Sequence, residues 1–117
     1  MGIRTTNSFT VIESITLGAD GTTPAIDVSK YSSYSYQMPY TYTGGDNSAG
    51  TVTLAVSDNN VIFSQITSST LNYSSTTTSN FFEVTSVGHQ WSQLVIDNTS
   101  GSGGTAKVTF FGVVITD

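Results

Sequence analysis

Ser32-Ser-Tyr-Ser-Tyr-Gln-Met-Pro-Tyr-Thr-Tyr-Thr43 is the stretch on which the fold turns. Tyr34, Tyr36, Met38, Tyr40 and Tyr42 occupy every second position, with Ser33, Ser35, Gln37, Pro39 and Thr41 between them. A two-residue period sends successive side chains to opposite faces, so this is a strand with one aromatic and one polar face. Pro39 has no N–H for a ladder, which predicts an edge position or a bulge.

The same alternation extends in both directions. Upstream, Phe9, Val11, Ile15 and Leu17 alternate with Thr10, Ser14 and Thr16, and Glu13 is the misfit. Residues 1–8 lack a period and read as an N-terminal arm, leaving 9–117 as one β-sandwich domain. Gly18-Ala-Asp-Gly21 is a turn, and Pro24 leads into a short strand at 25–29.

Downstream, the run at 44–50 breaks the pattern, then Val52, Leu54 and Val56 point inward. Asp58-Asn59-Asn60 is expected to turn the chain into a second hairpin strand at 61–66. Residues 68–80 form a weak strand or a long loop around Leu71 and Tyr73. Strands follow at 81–85, 91–97 and 105–116. The last is apolar on both faces, with Val108, Phe110 and Val114 on one and Phe111, Val113 and Ile115 on the other. Such a strand must be covered on both sides, by a partner chain, by the arm, or by a central position under a loop. Eight or nine short strands without a helical period specify an all-β, antiparallel β-sandwich, with a jelly roll as one form of it.

Composition narrows the function. The 117 residues carry a net charge of −5 with only three bases, Arg4, Lys30 and Lys107. A duplex-binding protein needs several bases to displace phosphate counterions, so nucleic acid is not an expected partner. No cysteine is present, which removes disulfides and fits assembly in a reducing cytoplasm. No basic-then-apolar leader and no long apolar run is seen, so neither secretion nor a membrane is expected. About a third of the residues are Ser or Thr. Hydroxyls cost less to desolvate than charges, so this surface suits burial against other proteins.

Reactive groups are scarce. Asp46-Asn47, Asp58-Asn59-Asn60 and Asp97-Asn98 offer oxygen ligands, but without the spacing of a calcium loop, and such pairs serve tight turns. His89 has no nucleophile spaced to suit it, and Glu13 and Glu83 are the only glutamates. No metal, cofactor or catalytic residue is therefore expected. Tyr36, Tyr40, Tyr42 and Trp91 do suit a sugar-stacking platform, although strand-spaced aromatics also build cores and interfaces.

Three segments also carry a resemblance. They are Ser14-Ile-Thr-Leu-Gly18 with Thr23-Pro-Ala-Ile-Asp-Val-Ser29, then Gly50-Thr-Val-Thr-Leu-Ala-Val-Ser-Asp-Asn-Asn60 with Phe63, and Trp91-Ser-Gln-Leu-Val-Ile96 running into Ser100-Gly-Ser-Gly-Gly-Thr-Ala-Lys-Val-Thr109. Together the chain resembles small β-sandwich structural proteins of tailed bacteriophages, of the capsid-decoration and fibre-like kind. It departs from them in lacking a glycine in the turn after Ser57. The resemblance implies a non-enzymatic virion structural protein, assembled in the host cytoplasm. Most simply it is a homo-oligomeric capsid decoration or cement protein bound to major capsid or tail proteins. Its expected contacts are Ile3 and Arg4 in the arm, Phe111, Val113 and Ile115 in the last strand, and Tyr40 and Tyr42. The alternative is a carbohydrate- or receptor-binding module of a phage tail or fibre.

Overall fold

A computed structural model describes residues 4–41, 48–74, 79–85 and 87–116, with backbone alone for 4–13 and 115–116. Two antiparallel sheets pack face to face. Sheet A runs in the order β1 (Arg4–Thr16), β10 (Thr105–Thr116), β4 (Ser33–Thr41), β8 (Ser79–Val84). Sheet B places β9 (Trp91–Ser100) beside β5 (Ala49–Ser57). The short strands β2 (Gly21–Thr22) and β3 (Ile26–Asp27) pair with β9, and β6 (Ser64–Gln65) and β7 (Leu71–Tyr73) pair with β5. Among the described residues the helical content is one 3-10 turn at Thr67–Ser69.

The tyrosine strand faces inward. Tyr34, Tyr36 and Met38 are buried, while Gln37 and Pro39 are exposed. From sheet A they meet Phe82, Ala106, Val108 and Phe110, and from sheet B Val52, Leu54, Leu94 and Ile96. Phe110 lies at the centre, its ring centroid 5.3–5.5 Å from those of Tyr31, Tyr34 and Tyr36. Each tilted or offset pair contributes about 0.5–1.5 kcal/mol beyond its buried area.

Several local expectations change. Pro39 is on a central strand, between β10 and β8, with no register shift. The missing N–H is absorbed by a gap instead: β4 pairs with β10 at Tyr40↔Ala106 and again at Gln37↔Thr109, but not between. Strand β1 starts at Arg4 and keeps one register with β10 from Arg4↔Thr116 to Val11↔Thr109. Residues 4–8, aperiodic in sequence, are therefore sheet-bound, because main-chain pairing requires no side-chain alternation. The expected hairpin shrinks to two pairs, Ala55↔Gln65 and Val56↔Ser64. Ser57 Oγ accepts from the N–H groups of Asn59 and Asn60, and Asn59 Oδ1 from those of Val61 and Ile62. Asn60 takes φ 59°, and the wide turn leaves Val61 and Ile62 exposed rather than paired.

β10 reads as expected, with the same boundaries. Its inner row has one gap, at Gly112, and the Tyr31 ring fills it: a Cβ there would stand 2.5 Å from two ring carbons. Gly112→Ala is accordingly expected to destabilise the protein by about 1–3 kcal/mol through overpacking, read as a lower urea midpoint with an unchanged slope.

Candidate interaction surfaces and the buried hydroxyl chain

Polar groups are drawn into the sandwich where β4 crosses β9. Ser92, fully buried, alternates with the outer-facing Trp91 and Gln93 and so points at sheet A. Tyr36 Oη lies 2.5 Å from Ser92 Oγ, a hydrogen bond in which either hydroxyl can donate. Tyr34 Oη lies 2.6 Å from His89 Nε2. With His89 neutral and accepting at Nε2, Tyr34 donates to it. Burial pushes the Tyr34 phenol up to about 12, so it stays a donor at any physiological pH.

Burial also holds His89 below its ordinary value, while the Asp58 carboxylate pulls the other way. His89 borders an open depression of about 500 Å³ with Val56, Ser57, Asp58, Asn59, Ile62 and Ser64. A second open groove, about 470 Å³, crosses the outer face of sheet B between Asp20, Thr22, Thr51, Thr53, Gln65 and Asp97. Among the described residues no three metal-ligating side chains converge. Asp58-Asn59-Asn60 is the wide turn just described, and Asn98 N–H donates to Asp20 Oδ1. Asp46-Asn47 lies outside the described residues.

The expected contact residues separate. Arg4, Phe111, Val113 and Ile115 lie along the β1–β10 pair, Arg4 opposite Thr116 and Thr5 opposite Ile115. Phe111 and Val113 are half-buried on the outer face of sheet A, beside Ser33, Ser35, Glu83 and Thr85 in a depression of about 170 Å³. Tyr40 lies elsewhere, opposite Ala106 on the inner face, its ring on Tyr73 and its hydroxyl taking a hydrogen bond from Asn80 Nδ2. Ile3 and Tyr42 fall outside the described residues. Of the described residues of the sugar platform, Tyr36 is in the core, Tyr40 faces inward, and Trp91 lies on the outer side of the other sheet. Sequence reasoning missed Val61, Ile62 and Phe81, the large apolar side chains most exposed among the described residues. The asparagines of the wide turn were the signal for the first two.

No protein-family model matches the chain, and no curated protein matches it. Solved structures do. The SPBc2 prophage-derived protein YomS superposes with a TM-score of 0.61 at 10% identity, over 94% of this chain and 95% of that one. A subunit from a study of Bacillus endospore appendages, described as disulfide-linked pili, gives 0.54 at 15% identity, over 97% and 92%. A chain of infectious bursal disease virus, Gx strain, gives 0.50 at 10% identity, over 96% of this chain but 32% of its own. At these identities the shared property is the fold: a two-sheet all-β sandwich found in phage-derived, appendage and viral proteins.

Two outcomes follow from the hydroxyl chain. Tyr36→Phe is expected to cost about 1–3 kcal/mol by leaving Ser92 Oγ buried without its partner, and adding Ser92→Ala should recover part of that loss. The unfolded chain takes up the His89 proton first as pH falls. That contribution to stability is therefore complete above 6.5 and lost as pH falls through the lower folded value. Urea midpoints taken between about pH 7.5 and 5 should decline less in His89→Gln, which keeps a non-titrating acceptor.

Proposed function

We propose that the chain is a non-enzymatic structural subunit of a phage or phage-like particle, most simply a decoration or cement protein. In this reading it is assembled in the host cytoplasm and held on the particle by contacts with its own copies and with capsid or tail proteins. The observation that carries the reading is β10, apolar on both faces. Its inner row fills the core, while Phe111 and Val113 stay half-buried on the outer face of sheet A. The low charge of the chain makes the surrounding surface inexpensive to bury.

Strand order supports the same reading. Counting β2 with β3, and β6 with β7, as interrupted strands leaves four strands per sheet, with the first and last strands of the chain adjacent. We read that order as a jelly roll, an architecture used by capsid domains. The prophage, appendage and viral likenesses are of one piece with it. The dispersal of Tyr36, Tyr40 and Trp91 over two sheets and the core weighs against the carbohydrate module.

Binding of the purified protein to particles of the phage that encodes it tests the proposal. Co-sedimentation is expected with the full chain and is expected to fall at least tenfold when residues 1–8 are removed. A monomer that ignores the particles but binds a glycan, with loss on Trp91→Ala, would replace it.

A further inference from the structure

β1 closes one side of sheet A, and among the described residues no strand pairs with its outer edge. That edge is long and straight. From Arg4 to Val11 the pairing with β10 keeps a single register, and the bulge at residues 12–13 comes only after it. Eight residues of regular strand span roughly 26 Å, and alternate N–H and C=O groups along them face away from β10.

Proteins usually blunt such an edge with lysine, proline, a bulge, or simple shortness. Arg4-Thr-Thr-Asn-Ser-Phe-Thr-Val11 has no lysine and no proline, and its single charge is at its first position. The other border of sheet A, β8, is shorter, at six residues, and faces Ser68, Ser69 and Leu71 across a depression of about 230 Å³. In sheet B the bordering strands run two or three residues each.

We propose that the outer edge of β1 is a self-association surface, where residues 4–10 of two copies pair antiparallel about a two-fold axis and join two four-stranded sheets into one. The inference rests on reading the chain as an assembling subunit, and it names the surface. The occupant follows from length: a partner edge must match eight residues, and among the described strands of this chain β1 alone offers that many uncovered. The contact is therefore isologous, β1 to β1.

Charge sets the orientation. A parallel pair would hold the two Arg4 residues side by side, about 5 Å apart. An antiparallel pair sets them at opposite ends, roughly 20 Å apart and beyond the ~10 Å Debye length. A two-fold axis across an antiparallel pair sets a residue opposite its own copy, so it passes at Asn7, where residues 4–10 overlap with Thr5 opposite Phe9 and Thr6 opposite Ser8. Strand pairing alone buries less than the ~1,200 Å² of a standard stable interface, so the isolated pair is reversible. On a particle, repeated contacts raise its effective strength.

The absence of cysteine makes the test direct, since one introduced thiol is unique in the chain. Full-length Asn7→Cys, oxidised at high protein concentration, should yield disulfide-linked dimers. Thr5→Cys and Phe9→Cys should yield few alone and a mixed dimer when combined, with Glu83→Cys on β8 as the unlinked control. Light scattering on the unmodified chain should show mass rising from monomer toward dimer with concentration. Thr5→Lys combined with Asn7→Lys should abolish that rise with an unchanged circular dichroism spectrum. An oligomer that persists in the lysine variant and cross-links nowhere from 5 to 9 overturns this surface while sparing the subunit reading. A chain that stays monomeric at every concentration and binds no particle overturns both.

Discussion

Everything in this sandwich is arranged around phenols that are buried but must keep their hydrogen bonds. Tyr34, Tyr36 and Tyr73 are each no more than 2% exposed, and a buried hydroxyl without a partner costs about 1–3 kcal/mol. The solution is reciprocal: each sheet supplies polar atoms to the other. Ser92 and His89 serve the β4 tyrosines, and the Leu17 carbonyl accepts from Tyr73 at 2.9 Å. This arrangement fixes register as well as energy. Shifting β4 by one residue would turn its tyrosines to solvent and bring Ser33, Ser35 and Gln37 to the core face. An oily core of leucines would tolerate more sliding than this one does.

The strands that alternate strictly were legible from sequence, because burial of one face imposes the period. β4 is of this kind, whereas β9 and β10 were legible as apolar runs bounded by turn residues. What escaped did so for separate physical reasons. The start of β1 is held by main-chain pairing to an apolar neighbour, which leaves no periodic mark on Arg4 to Ser8. Pro39 sits centrally because a ladder can forgo two pairs when the strand is secured on both sides. Tyr73 is fully buried within a stretch that otherwise reads as polar loop, since a strand of three residues is too short to show a period. The tyrosine stripe told which residues share a face. Whether that face was core or platform depended on Ser92, 56 residues away in sequence from Tyr36.

The two sheets differ in a way that bears on assembly. Sheet B is bordered by fragments, β2, β3, β6 and β7, whose shortness denies a neighbouring chain any useful length of backbone. Sheet A is bordered on one side by a thirteen-residue strand whose covered side is β10 and whose neighbouring outer face carries Phe111 and Val113. Pairing capacity and partly exposed apolar surface thus coincide on the same half of the molecule.

In the reading proposed above, that coincidence separates two demands a particle subunit must meet at once. Before assembly it must remain apart from its copies, and a surface without strong charge gives little electrostatic help in doing so. Hydroxyls satisfied by water, and an edge that offers only a reversible contact, keep single encounters weak. After assembly the same features become advantages, because Ser and Thr surrender water at small cost and strand pairing is directional enough to repeat without error. A subunit built this way needs no reactive group and no tight pairwise interface. It needs a rigid core to hold one edge and one face in fixed relation, and the cross-sheet bonds of Tyr34, Tyr36 and Ser92 supply that rigidity.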